Sequence, residues 1–214
     1  MRYNTLLIDP PVPYAGWTGY PVAEKYDLMT WDDLKALAPL IHNVMNSDAA
    51  VFLWVCPPLL VETLDMMQAW GLTYKTEAFT WCKLYPTSSK FFVGMGFWTK
   101  ANSEDVWLCT HGKPHRHNKD VSQLLATLES TETPTVIAPN VRHSQKPEEI
   151  QDRIERLVPG PYLELFARRQ RPGWTCLGNE IDGLDIRESL IRLAADETIP
   201  PRFVAPGPSQ EALF

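Results

Sequence analysis

Strand-length apolar runs recur along the chain at Thr5–Ile8, Ala49–Val55, Thr73–Leu84, Asp105–Thr110, Thr135–Ala138 and Tyr162–Ala167. Several of the intervals between them carry helical periodicity. Thr30 followed by Asp33 reads as a capping box ahead of Leu34 and Leu37. Leu60, Leu64 and Met67 repeat at helical spacing and stop before Gly71, which suits a C-terminal cap. Pro147 opens a third helix whose apolar face is Ile150, Ile154 and Leu157, and Pro159-Gly160 ends it. Strands alternating with helices predict an open, mostly parallel α/β sheet. Such sheets bind ligands beyond the carboxyl ends of their strands, where connections diverge. Asp9-Pro10-Pro11, Ala138-Pro139 and Ala167-Arg168 all fall at such ends.

The long irregular connections, 85–100 and 111–134, are of the kind that carries specificity in α/β domains. Beyond Gly183 an amphipathic segment (Ile186, Leu190, Leu193) leads into the Pro-rich stretch IPPRFVAPGPSQEALF. The expected organisation is one domain over 1–183 and a C-terminal appendage over 184–214, with no internal repeat.

Charge narrows the function classes. A formal charge of −6 argues against a generally basic protein that coats nucleic acid, while leaving room for a local basic cleft. Cys56, Cys82, Cys109 and Cys176 contain no C-x-x-C pair, so buried reduced thiols are expected rather than disulfides or a thiolate metal site. The apolar runs fall short of the ~20 residues of a membrane span. The start MRYNTLLIDPP lacks a signal-peptide layout and suggests a cytoplasmic protein without a membrane partner. In THGKPHRH, His111, His115 and His117 cluster with Lys113 and Arg116, a pattern better suited to touching phosphates than to holding a metal. Gly94 and Gly96 of GMGF lack the context of a phosphate loop and suggest tight packing or close substrate approach.

Two stretches carry candidate chemistry. In LLIDPPVPYAGW a strand ends in an acid and two prolines, a backbone that cannot become helical and has lost two N–H donors. The Asp9 carboxylate and the Pro10 carbonyl then offer acceptors without a competing local donor, a pairing suited to both hydrogens of a planar amine. A plain rigid turn is the alternative. Downstream, Glu164 lies in the strand after the Pro147 helix, where an acid commonly fixes a ribose or an ammonium in nucleoside sites. A surface ion pair with Arg168 is the alternative there.

DPP, HSQKPEEI, YLELFAR and GWTCLGNE, in that order, resemble the MT-A-seventy family of adenine methyltransferases, and its phage and bacterial members most closely. The match extends to EKYDLMTWDDLKAL, FLWVCPP, WGLTYKTEAFTWCKL and GMGFWTKANSEDVWL, and so covers Leu6 to Glu180. The resemblance implies a Rossmann-like methyltransferase fold with permuted motif order, the catalytic motif preceding the cofactor motif. It implies S-adenosylmethionine as donor, no metal, and the 6-amino group of adenine as acceptor. It makes Asp9, Pro10 and Pro11 the catalytic motif. Lys146, Glu164, Arg168, Asn179 and Glu180 fall on cofactor positions, and Ile137 and Ala138 are counted with them. Tyr26 matches a tyrosine lining the adenine pocket, and Trp98 and Glu104 fall in the substrate-side segment. Active members carry an aromatic where this chain has Val12, and Tyr14 is expected to replace it with Val12 packing beneath. DNA is the expected partner in a bacterial or phage-infected cell, and a homo-oligomer is compatible with the resemblance. An RNA methyltransferase and a non-catalytic nucleic-acid binder are the competing readings.

Overall fold

The computed structural model describes residues 1–13, 28–85, 90–94, 98–128 and 146–196. Among the described residues, seven strands form one sheet: β1 (Tyr3–Ile8), β2 (Met45–Val55), β3 (Thr73–Leu84), β4 (Ser103–His111), β5 (Leu124–Leu128), β6 (Tyr162–Leu165) and β7 (Trp174–Leu177). Their spatial order is β5-β3-β4-β2-β1-β6-β7. Every neighbouring pair is parallel except those made by β4, which runs antiparallel to both β2 and β3. The five described α-helices are α1 (Trp31–Lys35), α2 (Ala38–Val44), α3 (Leu60–Ala69), α4 (Glu149–Leu157) and α5 (Ile186–Ala194).

Parallel strands covered on both faces must be apolar at successive positions, and β1 shows how the alternation is used. Leu6 and Ile8 enter one core cluster together with Leu34, Ile41, Met66, Ile186 and Leu190, from α1, α2, α3 and α5. Leu7 enters the other, with Phe52, Trp54, Ile150 and Ile154, under α4. The result is helix, sheet, helix in three layers. With α5 contributing Ile186 and Leu190 to the first cluster, the segment after Gly183 begins inside the core.

Local signals held where they were chemical. Thr30 caps α1, its hydroxyl accepting the Asp33 N–H at 3.1 Å. Gly71 takes φ +65° just beyond α3, donating to the Gln68 carbonyl at 2.9 Å. The segment read through Leu34 and Leu37 is two helices, because a proline in the first turn restarts the chain at α2. The strand expected over Tyr162–Ala167 stops at Leu165, where Phe166 turns into the left-handed region at φ +62°. Strands β5 and β7 were not foreseen, and the expected strand over 135–138 lies outside the described residues.

Candidate active site

The sheet dictates where the chemistry gathers. From β1 the chain goes to β2 on one side, and the later strands β6 and β7 lie on the other, so the connections diverge at the carboxyl end of β1. Because β4 is antiparallel, its first residues meet the last residues of β2 and β3: Asp105 pairs with Val55, and Glu104 with Trp81. One edge of the sheet thereby collects Asp9, Lys83, Glu104 and the turns after β6 and β7.

Asp9 leaves β1 with its N–H directed at the Leu165 carbonyl, 3.5 Å away, which ties it to the end of β6. The two prolines then turn the chain. Pro11 accepts the Met29 N–H at 2.9 Å, and Val12 packs against the first core cluster. Contrary to the expectation from sequence, the Pro10 carbonyl has a local donor, the Val12 N–H at 2.8 Å. A carbonyl oxygen has two lone pairs, so one direction of acceptance remains.

Lys146 stands ahead of α4 and joins the acids of this edge. Its Nζ lies 2.7 Å from Glu104 Oε2 and 3.5 Å from Asp9 Oδ2, with the Trp54 ring centroid at 4.7 Å. Lys83 Nζ closes on Glu104 Oε1 at 2.6 Å and lies 5.0 Å from the Trp81 ring centroid. The four side chains form an alternating series, acid, base, acid, base, running from Asp9 to Lys83. Burial alone would push the Glu104 carboxyl up, but the Lys146 and Lys83 ammonium groups outweigh it and hold the acid at about 2. Burial likewise works against the Lys146 charge and is overcome by Asp9 and Glu104, which raise its pKa. Cys56, at the end of β2, has its thiol pushed up by burial and by Glu104, against Lys146.

Glu164 lies in β6 beside β1, its Oε2 accepting from Gln151 Nε2 at 2.5 Å. Burial pushes this carboxyl up to about 7, with the nearby Asp9 charge adding to the effect and Arg169 opposing it. An acid raised mainly by burial and facing a second acid is a site at which a bound cation restores ionisation. That chemistry fits the ammonium and sulfonium of S-adenosylmethionine. The turns after β6 and β7 are pressed together: a Cβ on Gly178 would lie 2.2 Å from the Ala167 carbonyl oxygen. The Ala167 N–H donates to Leu177 at 2.9 Å across the same contact. Arg168 Nε and Glu180 Oε1 are 3.8 Å apart and well exposed, a loose pair of little energetic weight. Asn179 sits between Gly178 and Glu180 in the turn closed by the Gly183 N–H on its carbonyl at 3.1 Å.

Asp9, Glu104, Lys146 and Glu164 are thus brought together, with Arg168, Asn179 and Glu180 on the adjoining turns. Trp98 is set apart by being 99% exposed. Tyr14, Tyr26, Gly96, Ile137 and Ala138 lie outside the described residues. Gly94 is in tight packing, its N–H on the Ala101 carbonyl at 2.7 Å. The His111–His117 loop leaves the far end of β4, seven residues from Glu104, which at ~3.3 Å per residue puts it roughly 23 Å from the site edge. There Lys113 N–H is held by Asp48 at 2.6 Å, and His117 Nε2 meets the Glu155 carbonyl at 3.1 Å. Lys83, Trp54, Gln151 and Arg169 were missed from sequence. Lys83 had a faint signal as the one cation at the end of a long apolar strand, but its partner depends on the antiparallel pairing of β3 with β4.

The family model described as MT-A70 matches residues 3–180. The chain is 25% identical over 202 residues to the Type II methyltransferase M.MunI of a Mycoplasma species, covering 84% of this chain and 78% of that protein. It is 27% identical over 191 residues to the human N(6)-adenosine-methyltransferase catalytic subunit METTL3, covering 86% of this chain and 29% of that protein. The MT-A70-like N(6)-adenosine-methyltransferase of Drosophila melanogaster is also 27% identical, over 189 residues and 28% of its length. The chain therefore spans under a third of the two animal relatives and most of the bacterial one.

Proposed function

The chain belongs to the MT-A70 family, and from that premise we propose that it transfers a methyl group from S-adenosylmethionine to the 6-amino nitrogen of adenine in DNA. The carrying observation is Asp9 at the carboxyl end of β1, held between the Leu165 carbonyl and the Lys146 ammonium, with the Pro10 carbonyl adjoining it. The DNA reading draws support from the similarity to the Type II methyltransferase M.MunI, which extends over 202 residues. RNA is the second reading, favoured by the adenosine in the names of the animal relatives.

An adenine amino nitrogen is a weak nucleophile because its lone pair is delocalised into the ring. Hydrogen bonds from its two N–H groups to the Asp9 carboxylate and the free lone pair of Pro10 oxygen favour a pyramidal nitrogen with its lone pair directed outward. Much of the rate then comes from alignment, which removes the entropy of bringing two reactants together. The cofactor, when bound, supplies an electrophilic methyl group with a good leaving group. Lys146, Glu164, Arg168, Asn179 and Glu180 are the residues placed to hold it. Asp9 accepts the proton after transfer or hands it to water. Lys146 fixes the Asp9 carboxylate through its Nζ, and Glu104 and Lys83 in turn fix Lys146. A base within a duplex must first leave the stack to reach this edge.

The test is incubation with labelled S-adenosylmethionine and separate DNA and RNA pools, followed by nucleoside analysis. The expected product is 6-methyladenine in DNA. Label confined to RNA overturns the choice of substrate, and no label in either pool leaves the non-catalytic binder.

A further inference from the structure

Above the Lys83–Glu104 pair the chain does not turn tightly from β3 into β4. Tyr85 and residues 90–94 and 98–102 stand there as a projection, and the sequence over 85–102, YPTSSKFFVGMGFWTKAN, contains two lysines, several aromatics and no acid. In a chain of net charge −6, a stretch of this length without an acid is a local reversal of sign. Its stem is well built. Leu84 bridges Phe91, the Phe92 N–H donates to the Lys83 carbonyl at 2.8 Å, and the Tyr85 N–H donates to Lys90 at 3.0 Å. The Asn102 amide ties the stem together, donating to the carbonyls of Lys83 and Phe92. Tyr85 and Phe92 meet edge to face, with ring centroids 5.4 Å apart. On this stem the apolar side chains point outward: Phe91 is 60% exposed, Val93 47% and Trp98 99%, and Lys90 and Lys100 are exposed beside them.

Exposed aromatics interleaved with lysines, without acids, form a surface for a polyanion that carries flat apolar faces. In a duplex those faces are covered by stacking, so a Trp98 ring can reach them only where bases are unpaired. We propose that this projection is a stacking platform for unpaired nucleotides flanking the target adenine, so that the preferred substrate is single-stranded or locally opened nucleic acid. The inference rests on the methyltransferase reading and deepens it. The projection's root at Lys83 lies three ion pairs from Asp9, through Glu104 and Lys146, so nucleotides next to the acceptor are those within its reach. Trp98 and Phe91 supply stacking, and Lys90 and Lys100 neutralise phosphates.

Binding of fluorescent oligonucleotides tests this without requiring catalysis. Trp98→Ala should weaken binding of a single-stranded adenine-containing oligonucleotide roughly 5- to 150-fold, the range equivalent to loss of one stacked base. Trp98→Phe should restore most of it, and fully paired duplex should be affected less than about twofold. Abasic residues flanking the adenine should cost the native protein the same amount and the Trp98→Ala protein nothing further. Replacing Lys90 and Lys100 together should lower the salt dependence by about 1.4, at ~0.7 per phosphate contact on a single strand. DNA and RNA versions of each oligonucleotide separate the two sources of unpaired bases. The proposal is overturned if Trp98→Ala binds like the native protein, if duplex and single strand lose equally, or if the substitution instead dissociates a dimer in sedimentation. Trp98-dependent binding in a protein that methylates no adenine would overturn the methyltransferase reading alone.

Discussion

At the scale of single residues, the site works through charges that hold one another in place. Lys146 is the hub, between Asp9 at 3.5 Å and Glu104 at 2.7 Å. Lys146→Ala removes the ammonium beside Asp9 and leaves Glu104 to Lys83 alone, and Asn179→Ala removes a polar group from the turn after β7. Each should weaken S-adenosylmethionine binding, the part-buried Lys146 by about 1–3 kcal/mol and the exposed Asn179 by about 0.5–1.5 kcal/mol, the net worth of one hydrogen bond. Titration calorimetry checks this, and unchanged affinity in both variants would move the cofactor contacts elsewhere. Glu164 offers a sharper test. Its folded pKa of about 7 exceeds the ordinary 4.5, so between those values the folded protein holds a proton that the unfolded chain releases. Stability from this group is therefore present in full below about 4.5 and lost as pH rises through about 7. Glu164→Gln should flatten that decline in urea unfolding between pH 5 and 8, where the native protein loses stability. A cationic cofactor should also drive proton release from Glu164 near neutrality, seen as a binding enthalpy that changes with buffer ionisation.

Elements explain why some of this was legible in the sequence and some was not. Asp9-Pro10-Pro11 could be read because a strand, an acid and two prolines are contiguous, and local chemistry fixes where such an acid emerges. Thr30 and Gly71 could be read for the same reason, each being a cap with its own hydrogen bonds. Lys83 could not, since it becomes part of the site only when β4 inserts antiparallel between β2 and β3. No periodicity within a strand encodes its neighbour. The Pro10 carbonyl was misread in a similar way: the donor that meets it, the Val12 N–H, comes from a turn whose shape the dipeptide alone does not determine. The pressed turns after β6 and β7 carry a prediction at this scale. Gly178→Ala must move the Ala167 backbone, because its new Cβ would sit 2.2 Å from that carbonyl oxygen. It should cost more than the ~1 kcal/mol of an ordinary substitution and weaken cofactor binding with it. Thermal unfolding with and without S-adenosylmethionine measures both.

For the whole molecule, the three-layer arrangement gives the sheet two edges with different tasks. The carboxyl edge gathers Asp9, Lys146, Glu104 and Lys83 and carries the aromatic projection of residues 90–94 and 98–102. The opposite edge carries the basic His111–His117 loop, which sequence reading had associated with phosphates. Reversing charge there, with Lys113→Glu and Arg116→Glu, should leave KM for a short oligonucleotide within about twofold, whereas the lysines of the projection should raise it when lost. Equal effects at both edges would mean that nucleic acid wraps the domain. The central claim, that Asp9 orients an adenine amine for methyl transfer, is tested most directly by Asp9→Asn and Asp9→Ala in single-turnover methylation with the cofactor saturating. The account predicts that both abolish 6-methyladenine formation while S-adenosylmethionine affinity stays within a few-fold and the thermal midpoint is unchanged. Near-native turnover in either variant would contradict it.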